Sequence, residues 1–238
     1  LLPGAGFEVV ASDCLAGLVA RQVAHPMKLD LALRGLNAIS RGSAASVFAL
    51  WSDRILVRRQ GKLVGVEPGA LTREIDFGNG PTETTAVTWA DVSSAHHSTG
   101  IPDITVYYEA TPIVRMGLGF NRHGSWLART PVFGWWQKIG LGMLPDGPSD
   151  RERAVGKADV VASVEGRGGQ RAEARLHTPE VYTFTATTAA ALAERVLAGD
   201  CKPGFQTPAT AYGADFVLSL PGVSYEEVSV ARGRGGRR

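Results

Sequence analysis

Residues 1–20, LLPGAGFEVVASDCLAGLVA, decide how the rest of the chain is read. Two leucines run into Pro3-Gly4, the pattern of a buried strand whose first half would lie upstream. Gly4 and Gly6 offer a bend where the backbone can approach another group closely, because neither carries a Cβ. Ser12 and Asp13 are N-cap residues by type, and Leu15, Leu18, Val19 and Val23 follow at helical spacing. The stretch reads as strand, glycine turn, helix, the place where ligands bind in open α/β sheets.

Outward from there, His25-Pro26 breaks the helix. Residues 28–34 (KLDLALR) put Leu29, Leu31 and Leu33 on one face of a half-buried strand. Ser40 is expected to cap a short helix with Val47, Phe48 and Trp51 on its apolar side. Ile55–Arg59 and Lys62–Val66 flank Gln60-Gly61, a hairpin signal. Residues 72–77, 85–89 and 103–109 read as strands, with a helical turn over 91–98. Residues 157–165 and 170–177 form a second hairpin around Arg167-Gly168-Gly169. The Ala-rich run 183–198, closed by Gly199, is the strongest helix. From 201 to 228 the chain is short elements punctuated by Pro and Gly, and from Ser229 a low-complexity tail is expected to be disordered.

Residues 112–144 differ in character. Two amphipathic helices, broken near Gly124 and Pro131, carry Phe120, Trp126, Phe133, Trp135 and Trp136 with Arg115, Arg122, Arg129 and Lys138 between them. They fit a helical cover on the sheet. They also fit a mobile flap over an apolar substrate, or a contact with a membrane surface.

Composition removes several classes. The 238 residues are 44% hydrophobic and 20% charged, ordinary for a globular protein. Net charge is +2, and Arg232, Arg234, Arg237 and Arg238 supply four of the positive charges, so the body is not basic and nucleic acid is not expected. Cys14 and Cys201 have no CxxC or His-spaced partner; no metal site or disulfide is expected, and a reducing cytoplasm is the default. No apolar run reaches about 18 residues, the span of a transmembrane helix.

Five blocks carry a family resemblance. The first is Pro3, Gly4, Gly6, Phe7, Ser12, Asp13, Leu15 and Ala16. The second is Arg73-Glu74-Ile75-Asp76-Phe77-Gly78, and the third Ser98-Thr99-Gly100-Ile101-Pro102. The fourth runs from Thr178-Pro179-Glu180 to Tyr182, and the fifth is Gly204-Phe205-Gln206-Thr207-Pro208 with Gly213, Asp215 and Phe216. In this order they resemble the saccharopine dehydrogenase-like oxidoreductases, including the branch called trans-acting enoyl reductases. Glu8 and Ala11 stand where that family usually has Asp and Pro.

The resemblance implies an α+β architecture, a mixed, largely antiparallel sheet covered by helices, forming the substrate and dimerisation domain of a two-domain Rossmann-type enzyme. Residues 1–24 would end the dinucleotide-binding domain, 25–200 would be the substrate domain with a flap at 112–144, 201–228 a return segment and 229–238 the tail. It implies NADP or NAD in the complete protein, a homodimer, and hydride transfer to a C=C or C=N bond of an apolar, lipid-like substrate. A non-catalytic dimerisation or binding module is the competing class. Gly4, Gly6, Phe7, Ser12 and Asp13 would stand at the nicotinamide rim; for Ser12 and Asp13 a plain helix cap is the competing role.

A dinucleotide fingerprint needs GxGxxG after a strand. Gly4-Ala5-Gly6 gives two glycines, with Val9 in the third place, so the pyrophosphate site is expected to be absent from these residues. His96 and His97 are candidate proton-transfer groups, set against plain solvation. Tyr107 and Tyr108 alternate on a strand, so one of them at most faces a pocket. Arg34 could pair a substrate carboxylate or phosphate, or simply a surface acid. Thr99, Trp126 and Trp135 complete the candidate substrate contacts. No GxSxG elbow exists for a hydrolase.

Overall fold

Alternation in one central strand divides the molecule. β1 (Pro26–Arg34) turns Leu29, Leu31 and Leu33, all fully buried, to one face of the sheet and Asp30, Ala32 and Arg34 to the other. The computed structural model describes residues 1–35, 39–49, 54–112, 114, 115, 117, 119 and 130–231. Among them β1 pairs in parallel with β6 (Asp103–Glu109), Leu31 opposite Val106, and antiparallel with β7 (Lys157–Gly166), Leu31 opposite Ala162.

Among the described residues the sheet has nine strands. β2 (Ile55–Arg59), β3 (Lys62–Val66), β8 (Arg171–Pro179) and β9 (Ser224–Ala231) complete the order β3-β2-β6-β1-β7-β8-β9. β5 (Pro81–Ala86) pairs with the far end of β6 and with β4 (Thr72–Asp76). Every pair except β1–β6 is antiparallel. This is the mixed, largely antiparallel sheet flanked by helices that the sequence led us to expect.

The leucine face is covered by α1 (Phe7–Ala20), together with α3 (Asp91–Thr99) and α6 (Val181–Leu197). The short α7 (Pro208–Tyr212) and a 3-10 helix (Ala214–Ser219) join them. α1 lies within this core, its Val10, Cys14, Leu15 and Val19 fully buried beside Leu31, Val160 and Leu176. Gly17 lets the 3-10 helix come close, since a Cβ there would stand 2.9 Å from that of Ala214. Residues 1–24 and the segment after 201 therefore share one core with the sheet. The opposite face holds a small cluster of Ala32, Ile55, Phe77, Ala86, Tyr107 and Val161, roofed by the β4–β5 hairpin.

Local chemistry explains most boundaries. Ser40 Oγ accepts from the Ser43 amide at 3.1 Å and starts α2 (Arg41–Ala49). Trp51 lies outside the described residues. Gln60 and Gly61 both take positive φ, 49° and 77°, as a two-residue type I′ hairpin requires. Glu180 caps α6 by accepting from Tyr182 N and Thr183 N, and Gly199, at φ 82°, follows its end. α4 (Pro131–Met143) begins at Thr130, whose hydroxyl accepts from Phe133 N, and α5 (Asp150–Val155) at a Ser149–Glu152 capping box.

Four expectations are corrected. No strand forms over residues 1–5; Gly6 N-caps α1 in an extended conformation, and Ser12 and Asp13 sit in mid-helix. The strand expected at 85–89 lies at Pro81–Ala86, where β4 pairing sets it. The piece at 91–98 is a full helix, α3, closed by Gly100 at φ 71°. Ser229 and Ala231 belong to β9, because the free edge of β8 pairs with them.

If α1 is part of the sheet's own core, Leu15→Ala should lower stability by about 2–5 kcal/mol. Urea unfolding should show one shifted transition. An unchanged midpoint would mean that α1 is an appendage.

Candidate functional site

The glycine turn is occupied by the chain itself. Gly4 has φ +72°, and a Cβ there would lie 2.6 Å from Val9; at Gly6 it would meet Thr185 at 2.9 Å. The Phe7 ring is buried edge-on to Phe184, centroids 6.2 Å apart, and its amide donates to Thr185 Oγ1 at 3.1 Å. The first turn of α1 thus spends its space and an N–H within the fold. These residues form no cradle for a pyrophosphate.

Ser12 and Asp13 are fully buried, out of reach of a ligand in solution, and they tie three helices together. Ser12 Oγ lies 2.8 Å from Asp91 Oδ2 and 2.9 Å from Glu8 O; Ser94 Oγ reaches Asp91 Oδ1 at 3.2 Å. Ser98 Oγ is 2.5 Å from Asp13 Oδ1, 3.0 Å from Ser94 O and 2.6 Å from Thr207 Oγ1, while Ala209 N donates to Asp13 Oδ2 at 3.1 Å. A serine hydroxyl has one hydrogen. Ser12 and Ser98 each have one hydrogen to share between a carboxyl and a helix carbonyl. Burial pushes the Asp91 carboxyl well above its ordinary value, and the Asp13 charge adds to the rise. Burial raises Asp13 too, against the hydrogen bonds from Ser98, Thr207 and Ala209. Burial likewise drives the Cys14 thiol upward, leaving it unreactive.

The remaining expected residues are scattered. His96 Nδ1 sits 2.8 Å from Ile101 O at the end of α3. The exposed His97 packs edge-on to Phe205, centroids 5.0 Å apart. Thr99 Oγ1 donates to Ala95 O at 2.6 Å, closing its own helix. Tyr108 lies on the helical face against Trp89, and Tyr107 on the other, so the two rings do part. Burial, then the Asp30 charge, raises the Tyr107 phenol. Trp135 is exposed on α4; Trp126 lies outside the described residues.

Arg34 belongs to a cluster on the second face that the sequence did not reveal. Its Nε donates to Asp159 Oδ2 at 2.6 Å, and its guanidinium lies 4.8 Å over the Phe77 ring. Asp159 Oδ1 stands 2.5 Å from His177 Nδ1, and His177 Nε2 is 4.0 Å from Glu226 Oε2. Arg175 donates to Asp76 O at 2.9 Å and pairs with Asp76 Oδ2 at 3.0 Å and Glu226 Oε2 at 3.4 Å. Donation from Gly78 N and Gly80 N holds the Asp76 carboxyl below its ordinary value. Gly78 has φ 109° and a would-be Cβ 3.9 Å from His177 Cε1, so the hairpin tip passes close over the imidazole.

His177 Nδ1 faces the Asp159 carboxyl, and the imidazole side chain is 33% exposed. Nearer the centre, Asp30 is 5% exposed and paired through Oδ2 with Lys28 and Arg73, while its Oδ1 has no partner among the described residues. The hairpin register, Asp159 opposite His177, was the signal available in the sequence. Among the described residues no group of three or more His, Cys, Asp or Glu could hold a metal.

No family model matches the chain, and no curated protein matches its sequence. Among solved structures, apo histidine-tagged saccharopine dehydrogenase (L-Glu forming) from Saccharomyces cerevisiae is similar in fold. The TM-score is 0.51 over 93% of this chain and 72% of that one, at 10% identity. The saccharopine dehydrogenase-like fold expected from the motif blocks is the fold found.

The buried carboxyls generate a pH prediction. A raised folded value stabilises the protein fully below the unfolded value of about 3.8, and this is lost as pH rises through the folded value. Asp91→Asn removes one such titration, and the Ser12 and Ser94 hydroxyls can turn to meet the amide. Urea midpoints at acid and at neutral pH should therefore fall less with rising pH in the variant than in the parent. Equal slopes would show that Asp91 ionises normally.

Proposed function

We propose that the chain is the substrate-binding part of an NAD(P)-dependent oxidoreductase related to the saccharopine dehydrogenase-like enzymes, nearest their trans-acting enoyl reductase branch. The reaction is hydride transfer to a C=C or C=N bond of a lipid-like substrate. The observation carrying this reading is the likeness in fold over 93% of the chain. The five motif blocks in family order agree with it. The substrate lies against the second face of the sheet, where Arg34, Arg175 and His177 offer cationic and proton-exchanging groups fixed by Asp159, Asp76 and Glu226. The nicotinamide nucleotide is held by residues other than the glycine turn, since Val9 and Thr185 fill that turn.

The same filled turn favours a second reading, a non-catalytic dimerisation or binding module. Titrating NADPH and NADH against this chain, and against the same chain within its complete reading frame, separates the two. Quenching of nicotinamide fluorescence only by the complete protein is the expected result. Failure of both to bind leaves the module. Tight binding by the 238 residues alone would mean that the glycine turn opens to admit phosphate.

A further inference from the structure

We infer that a polar row across the second face of the sheet binds the adjacent hydroxyls of a neutral polyol, a cyclitol or a pyranose ring. This property stands apart from the oxidoreductase reading. The ladders set five polar residues in line over five neighbouring strands: Thr105 on β6, Asp30 on β1, Ser163 on β7, Glu173 on β8 and Ser229 on β9. Residues directly opposite one another in a sheet share a face, so all five stand on the side of Asp30.

The last member owes its place to an irregularity. The β8–β9 register shifts between Glu173 and Ala174. Continued from Arg175 opposite Glu226, an unbroken ladder would set Val228 against Glu173; the extra residue brings Ser229 there instead. Such bulges re-aim side chains and are over-represented beside functional sites.

The row has hydrogen-bonding capacity that the fold does not use. Thr105 Oγ1 accepts from Arg59 Nη2 at 2.9 Å, which satisfies that end. Asp30, 5% exposed, carries both Lys28 and Arg73 on Oδ2 and keeps Oδ1 without a partner among the described residues. Ser163 and Glu173 are half-buried and Ser229 is exposed. Among the described residues none of these three side chains makes a hydrogen bond or an ion pair. A bare oxygen on a buried carboxylate is rare enough to call for a ligand. Oδ1 lies beneath the surface, so Ser163, directly beside Asp30, is the way to it: its hydroxyl turns to donate to Oδ1 and accepts from the ligand.

Charge selects the ligand. Glu173 stands between Arg171 and Arg175 on its own strand and face, as Asp30 stands against Lys28 and Arg73. A ligand ammonium would meet as many like charges as opposite ones, and an anion would face two carboxylates with unfilled lone pairs. A hydroxyl group meets neither penalty. Neighbouring strands lie about 4.8 Å apart. Glu173 therefore accepts two adjacent hydroxyls on its two oxygens, while Ser163 and Ser229, one strand to either side, take the next ones round the ring.

The experiment is saturation-transfer NMR of the 238-residue chain with myo-inositol and with methyl α-glucoside, repeated in the presence of methylammonium or phosphate. At least one polyol should bind saturably, and neither ion should displace it. Glu173→Gln, which keeps the size of the side chain and removes its charge, should weaken binding at least about tenfold. Ser163→Ala should weaken it in the same direction. Glu74→Gln, a like change at an exposed position of β4, should leave it unchanged. If Glu173→Gln loses its far-UV circular dichroism, Ser229→Ala takes its place. The inference is overturned if neither polyol binds saturably, or if Glu173→Gln binds like its parent. Displacement by methylammonium would also overturn it, making the row a cation site, and displacement by phosphate would make it an anion site.

Discussion

Everything on the leucine face depends on α1 being surrounded. A helix with one wet side can leave its serines and acids in water; α1 has hardly any such side. Ser12 and Asp13 must therefore find partners within the protein, and they do so on α3 and at the start of α7. Placing two carboxyls in such a site without a cation is expensive in free energy unless they are protonated or fully hydrogen-bonded. Hydrogen bonds from Ser12 and Ser94 to Asp91, and from Ser98 and the Ala209 amide to Asp13, offset that cost. The network that looks like chemistry is the fastening of three helices over one sheet.

That fastening also explains where the sequence was legible and where it was not. Patterns complete within a few residues were readable: the Gln60-Gly61 turn, the alternation of 103–109, the hairpin around Arg167-Gly168-Gly169 and the α6 helix. They located the elements, while the fold class came from the resemblance carried by the five blocks. Ser12 and Asp13 misled because a helix-capping residue and a buried polar residue look alike in a string; only the burial of α1 tells them apart. β5 (PTETTA) is polar on both faces and owes its place to β4 and β6. β9 carries Glu226 and Glu227, and it becomes a strand because β8 offers an edge. His177 and Asp159 are adjacent only in register, and neither residue announces the other.

The two faces of the sheet solve opposite problems. One is packed with leucine, valine and alanine and leaves little room for adjustment. The other places arginines beside acids, each charge held by more than one partner, and Arg175 by three groups from two other strands. Such lattices cost desolvation and return orientation more than stability. The imidazole of His177 is held between Asp159 on one nitrogen and Glu226, at 4.0 Å, on the other.

The position of β1 also fixes the order in which the molecule can be assembled. Its neighbours begin at residue 103 on one side and residue 157 on the other, whereas β2–β3, β4–β5 and β7–β8 close over short turns. Long loops cost entropy before their contacts repay it, so the hairpins form early and the central strand is locked in last. During synthesis, α1 and the leucine strip of β1 wait for partners more than a hundred residues away. A chain halted before residue 157 has its most apolar strand open along one whole edge, which makes that interval the one in which aggregation competes with folding.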